Sequence, residues 1–123
     1  MAVPILKQGP YLIASIQSAL ADSDVLQLQD DVMAQVTRHR SRGIIVDVTA
    51  LDVMDSFVSR SLRGLAMMTR LRGAMTVIVG ISPEVAFAMV QLGMSFEDVQ
   101  TALDLEEGLA LLEARKEPAD GGG

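Results

Sequence analysis

The sequence predicts an α/β domain with a mixed, mostly parallel β-sheet, an N-terminal antiparallel hairpin and about four helices. Short β-branched runs alternate with longer segments of helical spacing from residue 22 to residue 116. Such alternation is typical of parallel strands joined by helical crossovers. Two short apolar runs precede the first helix, and Gly9-Pro10 between them predicts a turn. The expected order is therefore β-β-α-β-α-β-α-β-α.

The composition is that of one globular domain with an aliphatic, methionine-rich core. The chain has 123 residues, of which 50% are hydrophobic, but it has only three Phe, one Tyr and no Trp. A chain of this length fits one domain. We expect that domain to cover residues 1–117, with a flexible C-terminal tail over residues 118–123.

The charge and the residue types present exclude several kinds of partner and site. The formal net charge of -6 disfavours nucleic acid and anionic membrane surfaces. The absence of cysteine excludes disulfides and thiolate chemistry. No apolar stretch approaches 18 residues, and the N-terminal segment lacks the pattern of a signal peptide. A cytoplasmic location is therefore expected.

The first elements are the hairpin and a long helix. Residues 4–7 and 11–17 are the expected hairpin strands. Asp24 and Gln27 have the spacing of a capping box, which predicts a helix start close by. Apolar residues then recur along one helical face at Val25, Leu28, Val32 and Val36. A cluster of basic residues followed by Gly43 predicts the end of this helix.

A buried strand and a second helix follow. Residues 44–48 form a β-branched run typical of a strand buried on both faces. Asp55-Ser56 precedes apolar residues at helical spacing, so the second helix is expected to begin there and to end before Gly73. Met67 and Met68 of this helix are candidates for contact with like domains, although core packing is the simpler interpretation. Gly64 in its middle is expected to allow close approach of another backbone.

The last three elements continue the alternation. Residues 75–80 are the next strand, and Ser82-Pro83 predicts the start of a third helix. Residues 99–102 are a last short strand. A capping box at Asp104-Leu105-Glu106-Glu107 then starts a fourth helix, whose end is expected at Lys116.

No catalytic motif is present, and we expect no catalytic residue, no cofactor and no metal site. The chain contains no glycine-rich phosphate loop. Ser56 lies on a predicted strand-to-helix turn, but it lacks the flanking glycines of a hydrolase nucleophile elbow. The only histidine, His39, precedes this serine and is interpreted as a surface residue.

Ser56 is better interpreted as a regulatory phosphate acceptor. Either Asp55 or Ser56 could cap the second helix, and capping by Asp55 would leave the serine hydroxyl accessible. A phosphate there would lie at the positive end of a helix, which the fold tolerates. It would add about -1.5 to -2 charge beside Asp52 and Asp55 and repel a partner docked on this surface.

Several segments resemble the STAS domains, the family of anti-sigma-factor antagonists. Residues 46–49 and 53–57 resemble the switch region of that family, in which an Asp-Ser pair starts a helix. Further segments are similar to the branch of small, single-domain stressosome antagonists, namely residues 4–7, 15–17, 80–86, 92–93 and 101–109. The resemblance covers about residues 3 to 115 and implies the STAS fold.

The resemblance implies a non-enzymatic scaffold with several partners. Such domains self-associate and join a sensor-bearing STAS paralogue in a large hetero-oligomeric shell. The shell holds a switch serine/threonine kinase, releases it when the scaffold is phosphorylated, and is reset by a phosphatase. By position, Ser56 matches the phosphoserine, while Asp52, Asp55, Phe57 and Ser59 are expected to support the switch loop and contact partners. Ser59 is also an alternative acceptor.

Two other functions fit the same residues. The nearer one is a free anti-anti-sigma factor that binds an anti-sigma kinase one-to-one and is switched by the same serine. The other is a regulatory STAS domain that binds a small ligand or nucleotide, against which the missing phosphate loop argues.

Overall fold

The computed structural model describes residues 3–91 and 99–121, with side chains up to Arg115. The five strands are β1 Ile5–Gln8, β2 Tyr11–Ser15, β3 Gly43–Asp47, β4 Met75–Val79 and β5 Gln100–Ala102. The four helices are α1 Asp22–His39, α2 Ser56–Leu71, α3 Pro83–Gln91 and α4 Leu105–Gly121. Among the described residues, no helix has the length and apolar character needed to cross a membrane.

The sheet has the strand order β1-β2-β3-β4-β5 and confirms the predicted fold class. β1 pairs antiparallel with β2 across a turn in which Gly9 has a φ of 60°. The next three pairings are parallel, with Ile13 opposite Ile45 and Ile45 opposite Val77. All carboxyl ends of β2 to β5 therefore meet at one edge of the sheet.

The helices cover both faces of the sheet. On one face, apolar residues of α1, α2 and α3 pack against alternate strand residues such as Leu12, Ile44 and Ile78. On the other face, Leu112 of α4 joins Ile13, Ile45, Val77 and further residues in a second cluster. The central strand β3 is buried on both faces, which explains why its sequence is a continuous β-branched run and not an alternating one.

The start of α1 differs from the prediction. Ala21 is the N-cap, and the Asp24 carboxylate accepts a hydrogen bond from the Ala21 amide at 3.2 Å. The predicted box, with Asp24 as the cap and Gln27 as its partner, was therefore wrong. Asp24 is instead the third helical residue and satisfies the cap residue's own N–H, which is the reverse half of a capping box.

The end of α1 was also misplaced. The helix ends at His39, and Arg40 takes the left-handed conformation with a φ of 51°. Gly43 does not end the helix but begins β3. A Cβ atom on Gly43 would lie 2.7 Å from Leu112 Cδ2 of α4, so close packing against this side chain, and not helix termination, favours glycine here.

The last elements have boundaries close to the predicted ones. β5 begins one residue later than predicted, at Gln100. The Asp104 carboxylate accepts a hydrogen bond from the Glu107 amide at 2.9 Å and caps α4 as expected. The expected end of α4 at Lys116 was wrong, because the helix runs through Pro118 to Gly121. Gly93, at which the sequence predicts the end of α3, lies outside the described residues.

Candidate functional site

Ser56 is the first residue of α2 and lies at the carboxyl edge of the sheet. The loop that leads to it leaves β3 after Asp47 and spans residues 48–55. Three apolar side chains of this loop are buried in the core: Val48, Leu51 and Met54. The Val48 amide also donates to the Val79 carbonyl at 3.0 Å and extends the pairing with β4. The loop is therefore fixed at its start, middle and end.

A local turn fixes the first residues of this loop. Asp47 Oδ1 accepts hydrogen bonds from the Thr49 amide at 2.9 Å and from the Thr49 hydroxyl at 2.6 Å. The loop after β4 packs directly against this turn, since a Cβ on Gly80 would lie 3.0 Å from Thr49 Cα. Gly80 has a φ of 79°, so both its conformation and its close contact favour glycine.

Asp55 is the N-cap of α2. Its Oδ1 accepts a hydrogen bond from the Val58 amide at 2.8 Å, and its carbonyl accepts one from the Ser59 amide at 3.0 Å. Of the two arrangements that the sequence left open, the structure has Asp55 as the cap. The Ser56 hydroxyl has no capping role.

The surface around Ser56 is acidic and partly apolar. Asp52 and Asp55 are exposed, whereas Ser56 is half-buried. Phe57 is half-buried as well and packs against the main core cluster, so its ring supports the start of the helix. Val53 is 77% exposed at the tip of the loop. Sequence reasoning did not select Val53.

Ser59, which was expected to support the switch loop and contact partners, lies in the interior of the domain. Its side chain is only 1% exposed, and its hydroxyl has no hydrogen-bond partner among the described residues. A helix turns about 300° over three residues, so Ser59 lies about 60° around the helix from Ser56, on the side toward the buried Leu62. Neither a kinase nor a scaffold partner can reach this hydroxyl in the folded domain.

The structure does not bring the histidine His39 to Ser56. α1 begins at the carboxyl edge of the sheet and ends where β3 begins, so His39 lies at the opposite edge. Within the described ranges, no three His, Asp or Glu side chains are grouped as a metal site would require. What the site offers is a hydroxyl at a helix N-terminus beside two carboxylates.

The profile of the STAS domain family matches residues 2–108. The chain belongs to the STAS domain family. Its similarity to solved structures agrees with the STAS fold and with the single-domain stressosome branch. A serine-to-glutamate variant of RsbS from Moorella thermoacetica superposes with a TM-score of 0.83 at 33% identity, covering 93% of this chain and 97% of that one. A chain of the solved stressosome, described as a signal integration and transduction hub, superposes with a TM-score of 0.78 at 30% identity. The match covers 93% of this chain and 99% of that one.

Two relatives are named as co-antagonist proteins of RsbT. The chain is 30% identical to the RsbT co-antagonist protein RsbRA of Bacillus subtilis (strain 168) over 83 residues. These 83 residues are 68% of this chain. The co-antagonist RsbRD of the same organism is 30% identical over 81 residues. The matched part is only 30% of RsbRA and 29% of RsbRD, so the chain corresponds to less than a third of these relatives. The predicted resemblance to RsbS-type STAS proteins is confirmed.

Proposed function

We propose that this STAS domain is a non-enzymatic stressosome scaffold, which sequesters a switch serine/threonine kinase and releases it when Ser56 is phosphorylated. The observation that carries the proposal is the division of roles at the start of α2. Asp55 provides the cap, and the neighbouring serine hydroxyl at the helix tip is left for another use. Similarity to RsbS over nearly the whole of both chains supports the scaffold role.

The electrostatics of the site suit a phosphate switch. A phosphate on Ser56 would be stabilised by the positive end of α2, whose first turn contains no acidic residue. It would add about -1.5 to -2 charge next to the exposed carboxylates of Asp52 and Asp55. The fold would stay intact while a docked surface of like charge was repelled.

The proposed partners follow from the relatives. Similarity to the RsbR co-antagonists supports co-assembly with a sensor-bearing STAS paralogue in a large hetero-oligomeric shell, in which this domain also self-associates. Because those relatives are named co-antagonists of RsbT, the sequestered kinase is proposed to be of the RsbT type. A phosphatase of the RsbX type is proposed to restore the unphosphorylated shell in the cytoplasm.

The acceptor is tested by incubation with the cognate kinase and ATP, followed by mass spectrometry. We expect one phosphate, on Ser56, and no labelling of Ser56→Ala. Ser61→Ala is the matched control, since Ser61 lies on the same helix, is half-buried and should be dispensable for labelling. Unchanged labelling of Ser56→Ala would contradict the assignment of the acceptor.

Release and assembly are tested separately with the same variants. Kinase should co-sediment with shells that contain the wild-type domain or Ser56→Ala, and should bind more weakly to shells that contain Ser56→Glu. Particles much larger than a heterodimer are expected when the domain is mixed with its sensor-bearing paralogue. A one-to-one complex with a kinase and no large particle would instead support the free anti-anti-sigma factor.

A further inference from the structure

A cavity lies at the sheet edge opposite Ser56. Its volume is about 400 Å³, within the range of small-molecule sites. It opens between the end of α2, the starts of β4 and β5, and α4. Its lining includes Ala66, Arg70, Thr76, Gln100 and Arg115. Arg70 precedes the end of α2, fourteen positions after Ser56, which corresponds to about 21 Å along the helix.

Two arginines give this cavity a positive lining. Arg70 belongs to α2 on one face of the sheet, and Arg115 belongs to α4 on the other. Among the residues whose side chains the structure describes, no carboxylate lines the cavity and neither arginine forms an ion pair. This is unusual in a chain with 16 acidic and 10 basic residues. Guanidinium groups bind carboxylates and phosphates with paired hydrogen bonds.

A buried hydroxyl relay adds an acceptor to the lining. The Thr69 hydroxyl donates to the Ala66 carbonyl at 3.0 Å and thereby uses its only proton. The 2.8 Å hydrogen bond between Thr69 and Thr76 must then be donated by Thr76. The Thr76 oxygen consequently has only lone pairs left, and these suit a ligand that carries a hydroxyl donor.

We propose that this cavity binds a small organic anion, a carboxylate or phosphate that also carries a hydroxyl group. Arg70 and Arg115 hold the anionic group, and Thr76 accepts a hydrogen bond from the ligand hydroxyl. The carbonyl end of α2 repels anions, so affinity depends on the two guanidinium groups. The site is independent of Ser56 and of the kinase.

Isothermal titration calorimetry with citrate, tricarballylate and ribose 5-phosphate tests the proposal. Citrate and tricarballylate differ by one hydroxyl, so citrate should bind more tightly. Arg70→Gln and Arg115→Gln should each weaken binding about tenfold or more, the loss expected for a hydrogen bond to a charged group. Arg60→Gln, an exposed change on α2 with the same loss of charge, should leave the affinity unchanged.

Circular dichroism establishes that each variant is folded, which exposed arginines should permit. Equal ligand affinity in Arg70→Gln, Arg115→Gln and Arg60→Gln would mean that the anions respond only to the overall charge of the protein. This result would overturn the proposal. Absence of binding by all three ligands would overturn it as well. Equal binding of citrate and tricarballylate would remove the role assigned to Thr76. None of these results depends on phosphorylation of Ser56, so the proposed function is judged separately.

Discussion

At the scale of single residues, Asp55 stabilises the start of α2 through one hydrogen bond, from the Val58 amide at 2.8 Å. Asp55→Ala should lower the free energy of unfolding by about 0.5–2 kcal/mol, the usual cost of losing a side-chain cap. Asp55→Asn should retain most of the stability. Asp52→Ala removes the same charge from an exposed loop position and should change stability by less than about 0.5 kcal/mol.

Urea denaturation of these variants measures the differences. Equal loss of stability in Asp55→Ala and Asp52→Ala would show that charge, and not capping, accounts for the effect. Such a result would leave the Ser56 hydroxyl as the alternative cap, and thereby weaken the division of roles on which the proposed function depends.

The burial of Ser59 could have been predicted from the sequence of α2. The apolar spacing of α2 was recognised from Val58, Leu62 and Leu65, all of which are buried. Ser59 lies beside that stripe on the helical wheel, so its burial could have been predicted from the same spacing. Ser56 and Ser59 are neighbours on the helix surface, but the residual rotation of about 60° between them moves Ser59 toward Leu62 and buries it, whereas Ser56 stays half-buried.

At the scale of elements, the loops after β3 and β4 are joined at Gly80 and Thr49. Gly80→Ala should destabilise the domain in two ways, since alanine disfavours the φ of 79° and its Cβ would overlap Thr49. Gly73→Ala is the matched control, with a φ of 85° but no atom within 4 Å of the added Cβ. The left-handed conformation alone costs roughly 1–2 kcal/mol.

Thermal denaturation should therefore show a lower melting temperature for both variants, with a clearly larger decrease for Gly80→Ala. Equal decreases would indicate that the two loops do not constrain each other. Kinase binding by Gly80→Ala should also decrease, because Thr49 and Asp47 fix the start of the loop that carries Ser56.

Alanine substitutions at a second pair of glycines distinguish the effect of helix propensity on stability from the effect of close packing. Gly64 is inside α2, and an added Cβ would meet only Gln29 Nε2 at 3.8 Å. Gly64→Ala should stabilise the isolated domain by up to about 1 kcal/mol. Gly108→Ala in α4 should destabilise it, because the added Cβ would lie 2.8 Å from Val79 Cγ1.

Chemical denaturation measures the free energy of unfolding, which should increase for Gly64→Ala and decrease for Gly108→Ala. A destabilised Gly64→Ala would mean that α2 packs more tightly there than the structure shows. If Gly64→Ala is stable but no longer enters large particles, the exposed face of α2 contacts another domain, as the sequence suggested. Met67 on this helix is 49% exposed, whereas Met68 packs against the core.

At the scale of the whole molecule, the order and type of the nine elements in the described ranges could be predicted, because the hydrophobic period and the turn residues agree along the chain. The missed features depend on contacts between distant segments. Gly43 resembles a helix stop, but its contact with Leu112 of α4 explains the glycine. The cavity beside Arg70 and Arg115 combines residues from α2, β4, β5 and α4, and no local pattern indicates it. The Ser56 site was recognisable because its residues are contiguous in sequence.

Tyr11 of the hairpin packs in one cluster with Leu112 of α4. Its ionisation should lower the stability of the whole domain at alkaline pH. Burial of the ring, and then the nearby Glu113 carboxylate, raise the pKa of Tyr11 above 10.0, and Arg42 opposes this effect. The phenol thus stays protonated in the folded state at a pH where the unfolded chain ionises. Its contribution to stability is complete below about pH 10 and is lost as the pH rises through the folded-state pKa.

Ultraviolet absorbance follows this ionisation directly, since the chain has one Tyr and no Trp. The phenolate titration of the folded protein should have its midpoint above 10, and that of the urea-unfolded protein should have it near 10. Tyr11→Phe keeps the ring in the cluster with Ile13 and Leu112 and should reduce the fall in unfolding free energy above pH 10. A folded-state midpoint at or below the unfolded one would show that the phenol is hydrated, and that α4 does not cover this face of the sheet.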